Sequence, residues 1–161
     1  HRNVPRHGLS GPSHNRRMTD LPPVERLRRG EYAFPGPLRD RLVSAILDGT
    51  KTSTACLLAE YKLGENPLAE FGTFEAVVDS HDRVVCITQT TSVCVMRLAD
   101  VSDAHAIAEG EGYRDAAEWR DGHERFWTSP EYVAEVGQVE LTDNTPVVCF
   151  TFEVVKHFEL H

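Results

Sequence analysis

The sequence predicts an α+β fold: a mostly antiparallel sheet or small barrel with helices over its open end. Three observations carry this. Residues 83–98 and 146–155 are rich in Val, Ile, Thr, Cys and Phe, as strands are. Amphipathic stripes at helical spacing precede and separate these runs. The order is helix, strands, two helices, long loop, strand. It does not alternate as a doubly wound parallel sheet would. No internal repeat is visible.

Residues 1–17 hold Gly, Pro, Ser, His and Arg with almost no large apolar side chain. Such a segment cannot bury enough surface to offset its ordering entropy. Residues 1–30 are therefore expected to be a disordered tail and lead-in to one domain over 31–161. Met18 reads as a natural start, with the preceding residues a non-native remnant or a mis-assigned start. A basic nucleic-acid arm is the alternative. After Pro22-Pro23, a short basic piece to Gly30 reads as a lead-in turn of helix.

Within the domain, Pro37 suits a first helical position. Leu38, Leu42 and Ile46 recur at helical spacing with Val43 and Leu47 beside them, while Arg39, Asp40 and Asp48 are expected to face away. Gly49 can end that helix in the left-handed conformation. Residues 55–61 are ambiguous between helix and strand, and Gly64-Glu65-Asn66-Pro67 is a turn. A strand over 74–79, a hairpin loop at Ser80-His81-Asp82 and the long strand follow. In that strand Val85, Ile87 and Gln89 alternate with Cys86, Thr88 and Thr90, giving one apolar face and one partly polar. Residues 100–108 predict a helix capped by Ser102 or Asp103, ended by Glu109-Gly110-Glu111-Gly112. Residues 115–127 predict another, with Ala116, Trp119, His123 and Phe126 on one face. Ser129-Pro130 stops it. Residues 131–144 are acidic and poorly patterned.

The 161 residues suit one domain, and 40% hydrophobic content is enough for one core. No run approaches the roughly 18 apolar residues of a membrane helix, and no apolar signal core is present, so a cytoplasmic location is expected. The four cysteines, Cys56, Cys86, Cys94 and Cys149, form no C-x-x-C pair; they suit buried thiols in a reducing compartment. Residues 1–30 hold seven basic and two acidic groups, a balance of +5. With 17 basic and 25 acidic groups in the whole chain, residues 31–161 carry ten and 23, a balance of −13. Phosphate contacts from Lys and Arg dominate nucleic-acid affinity, so this body is a poor general binder of long RNA or DNA. A nucleoside, or an RNA end at a local basic spot, remains open.

Three features compete for a site. The first is Gly49-Thr50-Lys51-Thr52-Ser53-Thr54, where an amine and a hydroxyl three residues apart can act as base and nucleophile. Taken alone, those six residues read as a solvated lysine in a polar loop. The second is Glu109 and Glu111, alternating with glycines that let the backbone approach a ligand; alone, it reads as a helix-ending loop with solvated acids. The third is Trp119, His123 and Trp127. Trp119 and Phe126 read as core and His123 as a buried, hydrogen-bonded histidine, whereas Trp127-Thr128-Ser129 at the helix end is expected to be more exposed and within reach of a pocket. No H-E-x-x-H, paired Cys/His spacing, G-x-S-x-G, P-loop or G-x-G-x-x-G occurs. Neither a metal nor a cofactor is expected.

Gly49-x-Lys51-x-x-Thr54 after an amphipathic helix resembles the signature of the ASCH family, the activating signal cointegrator homology domain. Pro37-Leu38-Arg39-Asp40, Glu60-Tyr61, Gly64-Glu65-Asn66-Pro67-Leu68, Val84-Val85-Cys86-Ile87-Thr88-Gln89-Thr90-Thr91, Ala108-Glu109-Gly110-Glu111-Gly112, Glu118-Trp119-Arg120 with His123 and Phe126-Trp127, and Pro146-Val147-Val148-Cys149 look like its flanking segments, in order. The resemblance covers about residues 34–157. It implies a PUA-like fold, a small pseudo-barrel with flanking helices and a cleft beside the lysine loop. It also implies RNA-related work: some members hydrolyse the N4-acyl amide of modified cytidine, and some cut RNA. The amidohydrolases use a Lys, a Thr and a Glu. Carried over by motif, these are Lys51, Thr54 and either Glu109 or Glu111, with Glu111 preferred. Thr52, Ser53, Tyr61, Trp127 and Thr128 are the expected substrate contacts. Lys51 would take the Thr54 proton, Thr54 Oγ would attack the amide carbonyl, and Glu111 would protonate the leaving group. The short amidohydrolases lack the acidic insert at 129–144. The ribonuclease alternative asks for more positive charge than a −13 body offers. The expected partner is a small nucleoside-like substrate or RNA, with no membrane; oligomeric state is open, a homodimer included.

Overall fold

The computed structural model describes residues 21–159; the expectations for residues 1–20 lie outside that range. Five strands, β1 (Arg28–Gly30), β2 (Ser53–Leu57), β3 (Phe74–Val78), β4 (Val84–Arg97) and β5 (Pro146–His157), form one sheet in the order β1-β3-β4-β5-β2. It curls into a half-barrel. Every pairing is antiparallel except β1 with β3, which is parallel. The lead-in to the domain is thus an edge strand preceded by a single 3-10 turn at Val24–Arg26.

Local chemistry sets each turn. The β3–β4 hairpin closes because Asp79 Oδ1 accepts from the N–H groups of His81 and Arg83, both at 2.9 Å, while Asp82 takes the left-handed conformation at φ 64°. β4 and β5 form the spine, pairing from Cys86↔His157 to Arg97↔Pro146, with bulges at Ile87/Thr88 and Thr90/Ser92 that bend the sheet. β2 closes the far edge, with Ala55 opposite Cys149. The expected two-faced alternation in β4 does not hold at its start: Val85, Cys86, Ile87 and Thr88 are all buried, because both surfaces of the curled sheet are covered there.

Helix α1 (Pro37–Asp48) begins on its proline and ends at Gly49, which is left-handed at φ 88°. Its Leu42, Val43 and Ile46 pack with Tyr32, Val77, Val85, Cys86 and Phe152. Arg39 does not face solvent. It is buried, and its guanidinium donates to the carbonyls of Tyr32 at 3.0 Å and Ala33 at 2.7 Å. Those donations tie down a turn in which Ala33 has a φ of 55°. A second core joins β2 and β5 to α2 (Asp103–Ala108), α3 (Ala116–Trp127) and α4 (Pro130–Val136) through Ala55, Leu57, Ala106, Trp119, Trp127, Tyr132 and Cys149. Ser102 and Asp115 cap α2 and α3 by accepting from His105 and Glu118 N–H.

Helix α4 falls within the stretch the sequence reading leaves unpatterned. Ser129 is its N-cap, Pro130 its first residue, and Tyr132 is fully buried with its hydroxyl donating to Glu60 Oε2 at 2.9 Å. Seven residues are too few for a periodic signal. The Ser-Pro-Glu start was nevertheless there to read.

Candidate active site

The lysine turn is built from its backbone outward. Thr50 N–H and Oγ1 both donate to Asp48 Oδ1, at 2.8 and 2.7 Å. Lys51 N–H donates to Ala45 O at 3.0 Å, and Thr52 N–H to Ala108 O at 2.9 Å. The Thr52 carbonyl accepts from Phe152 N–H at 3.0 Å. Three consecutive residues are thereby fastened to α1, α2 and β5, and the Lys51 side chain is turned inward.

Lys51 is only 1% exposed, so it is no solvated loop lysine. Its Nζ donates to Ser53 O at 2.8 Å and to Glu109 O at 3.2 Å. It lies 3.5 Å from Glu111 Oε2, 3.9 Å from Glu109 Oε1 and 5.9 Å from the Tyr32 ring centroid. The two glutamates differ sharply. Glu109 is completely buried. Its Oε2 accepts from Trp119 Nε1–H at 2.7 Å and lies 2.7 Å from His105 Nε2, and its Oε1 lies 3.1 Å from His123 Nε2. On the other side of that ring, His123 Nδ1 is 2.9 Å from Trp119 O. Burial alone pushes the Glu109 carboxyl up, but the charges of His123 and Lys51 and the His105 hydrogen bond outweigh it. They hold it well below the usual carboxylate range.

Glu111 reaches the same ammonium from the outside. It lines a cleft of about 460 Å³ between α1, the Glu-Gly turn and α3, with Arg41, Gly110, Tyr113, Arg125 and Phe126 among the walls. Tyr113 is hydrogen-bonded to Glu111, and burial, then the two glutamate charges, push its phenol up. Two glycines shape this region. Gly110 has a φ of 69°, and a Cβ there would lie 2.5 Å from Thr50 O, so only glycine lets the acidic turn touch the lysine turn. Gly122 sits mid-helix in α3, where a Cβ would come within 2.4 Å of Tyr113 Oη. The helix gives up a side chain to make room for the phenol.

The structure therefore brings together Lys51, Glu109 and Glu111. Ser53 is buried beside them with Oγ donating to His105 O at 3.2 Å. Thr54 follows on β2, buried and opposite Phe150; the strand pleat turns its side chain to the face of Cys56, away from that of Ser53. Thr52 is exposed, with Oγ1 3.5 Å from Ala108 O. Neither Thr52 and Ser53 nor the three remaining expected contacts are in the wall of this cleft. Tyr61 bonds Glu70, which pairs with Arg28, beneath the β1 side of the sheet. Trp127 is 1% exposed and stacks edge-on to Trp119 and His123; helix α4 seals what looked like an open helix end. Thr128 is exposed but spends its hydroxyl on Glu124 O at 2.7 Å. Tyr113, Arg41 and Arg125 went unnoticed in the sequence because a cleft shared by three elements leaves no local pattern.

Glu109, Glu111 and His123 each offer a ligand atom, all within 4.8 Å of one another. The set has no metal spacing in the sequence. Here the Lys51 ammonium already supplies the positive charge between the two carboxylates, and a second cation would be repelled by it. Among the described residues, no helix is long and apolar enough to cross a membrane.

A family model described as the ASCH domain matches residues 31–156. The chain is similar to a solved structure of a protein from Enterococcus faecalis V583, at 32% identity and a TM-score of 0.61, covering 75% of this chain and 74% of that one. It is also similar to the solved ASCH domain of Lactobacillus crispatus JV V101, at 27% identity and a TM-score of 0.63, covering 73% and 72%. No curated protein matches.

Proposed function

The chain belongs to the ASCH domain family, and on that premise we propose that it hydrolyses the exocyclic amide of an N4-acylated cytidine or a similar modified nucleoside. The observation that carries this reading is the Glu111 carboxylate at the wall of a small-molecule-sized cleft, 3.5 Å from the buried Lys51 ammonium behind it. Lys51 donates to two carbonyls and faces two acids, so it is a fixed charge that holds Glu111 in position at the cleft. The proton carrier is then Glu111, the acid that reaches the cleft. It takes a proton from the attacking water, whose oxygen adds to the acyl carbonyl, and returns that proton to the departing cytosine amine as the C–N bond breaks, giving cytidine and the free acid. Glu109 holds Lys51 from behind. Tyr113 and Phe126 offer aromatic surface to a pyrimidine ring.

The test follows release of cytidine and acetate from N4-acetylcytidine by wild type, Glu111→Gln and Lys51→Met. Each substitution is expected to lower kcat/KM by about a hundredfold or more. Turnover by Glu111→Gln at the wild-type rate would remove Glu111 from the chemistry. Absence of cytidine from the wild-type reaction would remove the hydrolase reading itself.

A further inference from the structure

The cleft has a second chemical end. Residues 31–161 carry a net charge of −13, yet the cleft is lined by two arginines, Arg41 on α1 and Arg125 on α3, and by a single acid, Glu111. That acid is matched by Lys51 directly behind it. Among the described residues, Arg125 has one acidic partner, Asp121, at 3.1 Å on the exposed surface of α3. An i,i+4 pair of this kind is weak and gives way readily to a better anion. Arg41 has no acidic partner within 4 Å among the described residues and is exposed. An acidic protein has thus placed a locally positive rim on one cleft. Aromatic surface from Tyr113 and Phe126 lies in the same cleft.

Building on the hydrolase reading, we propose that the substrate is a nucleotide rather than a free nucleoside, with its phosphate held between Arg41 and Arg125 while the acylated base is presented to Glu111. Guanidinium groups match phosphate oxygens by paired, charge-assisted hydrogen bonds. Two arginines from different helices fix the position of the group as well as its charge. A monomeric ligand is favoured over an RNA strand, because residues 31–161, with ten basic against 23 acidic groups, offer a polyanion net repulsion.

Two measurements test this independently. The first compares kcat/KM for N4-acetylcytidine and its 5′-monophosphate in wild type and in Arg41→Gln/Arg125→Gln. Wild type is expected to prefer the phosphorylated substrate by roughly tenfold or more, and the double variant to lose most of that preference. Equal use of the two substrates by wild type, or an undiminished preference in the variant, would overturn the proposal. So would faster turnover of a short single-stranded RNA carrying the same base. The second measures binding of cytidine 5′-monophosphate and of cytidine by calorimetry, without any turnover. Tighter binding of the monophosphate that vanishes in the double variant supports the phosphate subsite even if no amide is cleaved, in which case only the hydrolase reading falls. Equal binding of the two, or binding of neither, overturns the subsite.

Discussion

Replacing Lys51 with methionine keeps most of its volume and removes its charge. In the folded protein the ammonium lies 3.5 Å from one carboxylate oxygen and 3.9 Å from another. At an effective dielectric of about 20, Coulomb's law gives roughly 5 and 4 kcal/mol for the two contacts. Desolvating a buried ammonium opposes this by several kcal/mol. What the substitution leaves behind is worse than the absence of a pair. Glu109 and Glu111 are then two negative groups near one another without the cation between them, and two buried carbonyls lose their donor. The expected loss is about 3–5 kcal/mol. Urea unfolding at pH 7 reads it through the fluorescence of Trp119 and Trp127, both buried. With a slope of about 1–3 kcal/mol per molar, the midpoint should fall by about 1–5 M. Adding Glu111→Gln should restore at least about 1 kcal/mol, since it relieves the like-charge contact. A Lys51→Met shift worth less than about 1 kcal/mol, with no recovery in the double variant, would refute the charge balance described here.

The remaining predictions concern the same turn and its neighbours. The Glu109 carboxyl is held well below its unfolded value of 4.5, so its contribution to stability is present in full above that pH and is lost as pH falls through the folded value. Urea midpoints below pH 4.5 should therefore drop in wild type, and the gap to Lys51→Met should narrow. Gly110→Ala should cost at least about 2 kcal/mol by thermal or urea unfolding, because a left-handed backbone and a backbone clash act together. Gly122→Ala should leave stability nearly unchanged, the gain of about 1 kcal/mol in helix propensity being set against a displaced Tyr113; calorimetry should show weaker ligand binding in the cleft. Thr54 faces away from Ser53 across β2, so Thr54→Ala should leave amide hydrolysis within a few-fold of wild type. A loss of about a hundredfold would place its hydroxyl in the chemistry instead.

Much of this fold could be read ahead of the structure, and the reasons differ by element. The Leu42/Ile46 stripe, Pro37 and Gly49 specify α1 locally, so its boundaries emerge from the chain itself. The β4 and β5 runs are long enough that composition suffices. Arg39 is the counter-example. Charge alone suggests solvent, but a guanidinium can go inside when two carbonyls meet it, and the tight turn after Tyr32 supplies them. Lys51 is a similar case: its burial depends on Glu109, 58 residues away. The Glu-Gly-Glu-Gly stretch shows two acids but not their roles. The deep place of Glu109 comes from Trp119, His105 and His123 closing around it, whereas Glu111, one glycine further on, is left at the cleft. Trp127 was misjudged because its cover, α4, carries too few residues to announce itself.

The fastening of residues 50–52 has a bearing on how the chain must close to complete the turn. Thr52 is held on one side by Ala108 and on the other by Phe152, a residue a hundred positions later in the chain. The contact with Ala45 is local, whereas those with Ala108 and Phe152 close long loops, each at an entropic cost that the arrival of α2 and β5 must offset. The shape of the lysine turn is therefore a property of the whole sheet rather than of its own six residues.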